Sequence, residues 1–236
     1  MNREQAVDRL ATLVDRVERE TMPVPVREVW AFGDVALGLD PVERLDVYLT
    51  KDVIMGGDAD AAAAFEAEYG VKGVGTSVRA EWAEAHPDRV RASDNGYAAP
   101  EKCLAAELVA NGEGRSPSGN RDSPGDSRSQ SGDDEPIHLE VCNASFEDNV
   151  RQRLKGALAR DAYEEVLDPR GVCLWVDGTR DAEAFDRLRE ASLAMPTLPA
   201  ALGMLGADEE VASEAADVLK RQRAEQEGAS VRGDMV

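Results

Sequence analysis

The sequence predicts an α/β or α+β fold: a small mixed sheet of about four or five strands flanked by helices, with a helical C-terminal segment. Three observations predict it. Short apolar runs at 26–32, 45–50, 137–142 and 172–176 are bounded by Gly, Pro, Asn or Asp, as strands are. Between them, apolar residues recur at helical spacing, as in Val7, Leu10, Val14 and Val17, or Phe146, Val150, Leu154 and Leu158. The chain has 236 residues, 42% of them hydrophobic, which is enough for a buried core.

Taken in order, Asn2 can cap a helix over about 3–20, which Thr21-Met22-Pro23-Val24-Pro25 ends. Val26 to Phe32 reads as a strand, Gly33 and Gly38 bracket a turn region, and Leu45 to Thr50 reads as the second strand. Ala59 to Tyr69 is rich in strong helix formers. A Gly-rich connection follows, then a helix over 77–85, a short strand over 89–93 and a turn at Asp94-Asn95-Gly96. Pro100 suits the first turn of a helix running to about 110.

Residues 111–136 carry Gly, Ser, Pro, Asp and Arg but no hydrophobic side chain. The composition predicts a disordered, acidic insertion or linker, because nothing in it can offset the ordering entropy. Ile137 to Cys142 is a strand, and Ser145-x-x-Asp148 a capping signal for the next helix. A second helical segment is expected over 161–167, then the strand 172–176 and helices over 181–194, 197–205 and 208–227. The domain organisation is thus a first α/β part over 1–110, a second over 137–227, and a flexible tail over 228–236.

The formal net charge is −20, spread over both flanking parts, so the charge is a property of the whole surface and not of one tail. Such a surface repels duplex nucleic acid and anionic membranes. No stretch is apolar enough to span a bilayer, and Met1 leads straight into an amphipathic pattern unlike a secretory leader. Lysine is confined to Lys51, Lys72, Lys102, Lys155 and Lys220, and the rest of the 27 cations are arginine. Acid excess with scarce lysine resembles the proteins of extremely halophilic archaea, where concentrated salt screens repulsion between carboxylates. The whole chain likewise resembles the uncharacterised protein families of haloarchaea. Cys103, Cys142 and Cys173 form no C-x-x-C pair and read as buried thiols of a reducing cytoplasm.

The pattern with most chemical content is Phe32-Gly33-Asp34-Val35-Ala36-Leu37-Gly38, followed by Leu45-Asp46-Val47-Tyr48-Leu49. It resembles a degenerate core of the polymerase-β-like nucleotidyltransferases. In that family a strand ends in a Gly-Ser turn that cradles nucleotide phosphates, and carboxylates on following strands hold two divalent metals. The resemblance puts Gly33 and Asp34 at the nucleotide, and Asp46 and Glu140 at the metal, which would be Mg2+. Two positions depart from it. Arg44 stands where the first carboxylate of the strand pair belongs, and Asp34 where the turn Ser belongs. The other reading of this segment is a plain strand–turn–strand.

Weaker patterns have plain readings. Gly70 to Ser77 could hold an anion at a helix start but lacks the phosphate-loop order, and reads as a capped loop. Cys142 lies where a strand gives way to a helix and reads as structural. Arg151, Arg153 and Lys155, with no aromatic interleaving, read as a solvated helix face. The expected function is therefore that of a cytoplasmic, non-catalytic protein acting through an unknown protein partner or self-association, the helix over 208–227 being the candidate contact. The alternative is the nucleotidyltransferase-like domain binding a nucleotide and a divalent metal. Neither reading expects nucleic acid or a membrane, and the first names no cofactor.

Overall fold

The computed structural model describes residues 1–109, 137–225 and 230–233. Their architecture is a mixed α/β fold around a single six-stranded sheet, in the order β5-β4-β1-β2-β3-β6. The strands are β1 (Val26–Phe32), β2 (Leu45–Lys51), β3 (Ile137–Cys142), β4 (Gly171–Val176), β5 (Thr179–Arg180) and β6 (Ser230–Gly233). β1 pairs antiparallel with β2 and with β4, while β3 lies parallel to both β2 and β6. Strands from both sides of 110–136 therefore belong to one sheet.

The helices are α1 (Arg3–Arg19), α2 (Ala59–Tyr69), α3 (Ala80–Ala85), α4 (Pro100–Val109), α5 (Phe146–Arg160), α6 (Ala182–Glu190), α7 (Leu198–Met204) and α8 (Glu209–Glu225). α1 starts at a reciprocal capping box: Asn2 accepts from the Gln5 N–H, and the Gln5 side chain accepts from the Asn2 N–H. Its buried stripe, from Val7 and Leu10 to Val17, packs on one face of the sheet with α4 and α6.

Period-two alternation divides the sheet. Leu45, Val47 and Leu49 of β2, with Leu139 and Val141 of β3, enter that main core. The intervening residues face the other side, where Phe32, Tyr48 and Cys142 pack against Phe146 and Val150 of α5. Beyond α5, a further apolar cluster joins Leu154, Tyr163, Leu202, Ala212 and Ala215. The apolar stripe of α8 is thus engaged inside the fold, packed on α5 and α7.

Several expectations meet a different outcome. The sheet has six strands where about four or five were expected, and β5 and β6 were not among those foreseen. Residues 230–233, read from composition as tail, form β6, because the free edge of β3 supplies the hydrogen-bonding partner that four residues cannot supply for themselves. The rest of the expected tail, 228–229 and 234–236, and the expected disordered stretch 111–136 lie outside the described residues, as do the last two residues of the expected helix over 208–227. The expected strand over 89–93 is a 3-10 turn at Pro87–Arg89 followed by one bridge between Ala92 and Ala98. The expected helix over 161–167 contracts to a 3-10 turn at Tyr163–Glu165.

Candidate functional site

The polar residues of the second sheet face gather at one end of β2 and β3. Asp46 stands in register with His138, and Tyr48 with Glu140, so all four share that face. The side chain of Asp46 is fully buried. Arg44 lies 2.6 Å from one of its oxygens, and Arg223, from the last turn of α8, donates to the other at 2.9 Å. The same Arg223 nitrogen donates to Asp34 Oδ1 at 2.8 Å. Asp34 Oδ2 accepts from the backbone N–H groups of Glu43 at 3.1 Å and Arg44 at 3.3 Å, which pins the β1–β2 connection.

Gly33 is required here on two counts. Its φ is +68°, and a Cβ at this position would lie 2.2 Å from Asp46 Oδ2 and 2.8 Å from an Arg223 nitrogen. The space that the resemblance assigns to phosphate oxygens is therefore filled by the protein's own Asp46–Arg223 pair.

Glu140 belongs to a second, adjoining network. Arg153 of α5 grips both of its oxygens, at 3.1 and 2.7 Å, the fork geometry of a strong guanidinium–carboxylate pair. His138 Nε2 lies 3.1 Å from Glu140 Oε1, and its Nδ1 lies 2.6 Å from Ser230 Oγ on β6. Burial raises the proton affinity of Glu140, but the hydrogen bonds from His138 and Arg153 outweigh it, and its pKa falls to about 2. At Asp46 the balance is reversed. Burial dominates over the pull of Arg223 and Arg44 and holds the carboxyl above its ordinary value.

A cavity of about 860 Å3 opens over this face, between the sheet, the 164–170 segment, α7 and α8. Phe32, Leu37, Leu39, Leu167, Leu198 and Pro199 make its apolar walls. Arg44, His138, Glu140 and Arg223 are among the many polar and charged residues that line the rest of it. The volume lies within the range of small-molecule pockets.

The four residues singled out from the sequence all come to this region. Gly33, Asp34 and Asp46 meet at Arg223, whereas Glu140 pairs elsewhere. The sequence reading missed the partners. Arg153 was expected on a solvated face but has a side chain only 14% exposed. Its position next to Val150 and Leu154 on the apolar stripe was the available signal. For Arg223 the sequence shows only a place near the end of the helix over 208–227. Elsewhere, the Gly70–Ser77 segment does not open a helix: α3 begins at Ala80, Ser77 Oγ donates back to the Gly73 carbonyl, and Lys72 pairs with Glu66.

The donor set does not fit a divalent metal. Mg2+ demands oxygen ligands at about 2.1 Å in near-octahedral array. Both oxygens of Asp46 and both of Glu140 instead face guanidinium groups. Among the described residues no group of three or more His, Cys, Asp or Glu could hold a metal ion.

The chain belongs to the family of unknown function DUF7095, which matches residues 2–236. The match takes in every residue of the two ion networks and the cavity. No curated protein and no solved structure matches the chain.

Proposed function

We propose that the protein is a non-catalytic binding protein that acts by association with a protein partner or with itself, and that the cavity beneath α8 is its contact site. The observation that carries this is the ion pairing of the carboxylates: every oxygen of Asp46 and Glu140 lies within ion-pair distance of an arginine of the same chain. Groups so paired are poor metal ligands and poor proton carriers. The apolar cavity wall, with Leu39 still 47% exposed at its rim, offers what a partner side chain would bury. The notion that the outer face of α8 supplies the contact is weaker, since its apolar stripe is already packed inside.

The test is oligomeric state and capture from native extract, in the salt where the protein is folded. The wild type is expected to associate, and Leu39→Asp to abolish it. A wild-type chain that stays monomeric and recovers nothing would sink the reading. A second reading, favoured by Asp46 and Glu140 sharing one face of adjacent strands, is a degenerate nucleotidyltransferase-like domain. It would bind a nucleotide with Mg2+, with Gly33 and Asp34 at the phosphates. Titrating ATP, GTP and CTP with Mg2+ while following melting temperature separates the two, and no shift with any nucleotide removes the second.

We also infer that the protein works in the cytoplasm at high salt. The net charge of −20 supports the salt, and three free cysteines support a reducing compartment. No helix among the described residues is long and apolar enough to cross a membrane. Circular dichroism should show stability rising from dilute buffer to multimolar KCl. Equal stability in dilute buffer would count against it.

A further inference from the structure

Asp34 and Asp46 approach each other from the two ends of the connection between β1 and β2. One nitrogen of Arg223 stands between them, 2.8 Å from Asp34 Oδ1 and 2.9 Å from Asp46 Oδ2. Both carboxylates are shielded: Asp46 is fully buried and Asp34 is 8% exposed. Two such charges repel far more strongly here than in water, so the corner needs a cation. Arg44 reaches the other oxygen of Asp46, at 2.6 Å. Gly33 leaves open the volume that the Arg223 guanidinium enters.

We infer that Arg223 is the resident cation of this corner, a guanidinium delivered by α8 to Asp34 and to Asp46, the latter one of the two carboxylates that the resemblance assigns to a metal. The misfit of the donor set to a metal then has a positive explanation: the positive charge is built into the chain. It also explains how α8 is held across the sheet, since Arg223 spans 189 residues to Asp34 and 177 to Asp46. The cavity roof is locked by the same contact. This inference rests on the ion-pair geometry and stands whether or not the protein associates.

The experiment withdraws the guanidinium and offers Mn2+ as the probe, in the salt where the wild type is folded. Free Mn2+ is followed by electron paramagnetic resonance, and melting temperature is followed in parallel. The variant Arg223→Ala is expected to take up Mn2+ at least roughly tenfold more tightly than the wild type, because two shielded carboxylates lose the cation they share. Adding Asp46→Asn to Arg223→Ala should abolish the uptake. If Arg223→Ala is unfolded without divalent ions, Mn2+ is expected to restore its circular dichroism. Three results overturn the inference: wild-type uptake as tight as that of Arg223→Ala, uptake that survives Asp46→Asn, or a variant that neither binds Mn2+ nor refolds with it.

Discussion

Asp46 and Glu140 occupy the same face of two neighbouring strands, two arginines attend the first, and an arginine and a histidine attend the second. Their protonation nevertheless shifts in opposite directions. Glu140 receives a two-pronged grip from Arg153 plus a contact from His138, each from a side chain only 14% exposed. Asp46 receives single contacts, and Arg223 divides its charge with Asp34. Burial is a cost to both. Geometry decides whether the partners repay it.

The sharpest way to break this comparison is to neutralise each carboxylate in turn. Glu140→Gln leaves the Arg153 guanidinium buried without a counter-charge, and should destabilise the fold by about 3–5 kcal/mol. Asp46→Asn removes a carboxylate that burial already disfavours; Arg223 keeps Asp34 and Arg44 can still meet the amide oxygen, so the cost should be smaller, about 1–2 kcal/mol. Chemical denaturation in constant salt measures both. An Asp46→Asn variant as damaged as Glu140→Gln would mean that the two networks are energetically alike.

Acid titration sharpens the same contrast. Glu140 has a folded pKa of about 2 against an ordinary 4.5. Its contribution is fully present above 4.5 and is lost as pH falls towards 2. The gap corresponds to about 3 kcal/mol. Asp46 is raised above its ordinary 3.8, so it costs stability near neutral pH, and that cost is relieved as the pH drops through its folded value. Stability followed against pH should thus fall on the acid side in the wild type, and Glu140→Gln should flatten that fall. If Glu140→Gln leaves the acid limb unchanged, Glu140 is not its source.

Gly33 tests the middle of the range. Gly33→Ala forces a side chain into a φ of +68° and onto Asp46 Oδ2. The backbone cost is roughly 1–2 kcal/mol, before any displacement of the ion pair. If Gly33 serves the pair and not a phosphate, the melting temperature of Gly33→Ala falls in the absence of any nucleotide. An unchanged melting temperature would return Gly33 to the role the motif suggests.

How much of this was legible follows from what each residue depends on. The strands expected at 26–32, 45–50 and 137–142 were legible because apolar side chains fill one face of each, and that pattern is local. Gly33, Asp34, Asp46 and Glu140 were singled out through the resemblance of 32–49 to a nucleotidyltransferase core, and the sheet brings them to one region of the fold. Their pairing was not legible, because the cations arrive from α5 and α8, up to 189 residues away, and an arginine in a charged helix looks the same whether it points to water or into a cavity. β6 was illegible for a related reason: a four-residue segment becomes a strand only when the edge of β3 is there to receive it.

The smallest effect gives the last control, and it lies two residues from one of the largest. Arg151 and Arg153 are on the same helix and carry the same charge. The Arg151 side chain is 60% exposed and meets Glu147 and Asp148 only at 3.7 and 3.9 Å. Solvent and salt screen such contacts, so Arg151→Ala should change stability by less than about 0.5 kcal/mol. Arg153→Ala strands the buried Glu140 carboxylate and should cost several-fold more. Measured side by side in one salt, the two variants separate burial from mere charge. If Arg151→Ala proved as costly as Arg153→Ala, the protein's stability would reside in its surface pairs, and the buried networks would lose their claim to be a site apart from the rest of an acidic surface.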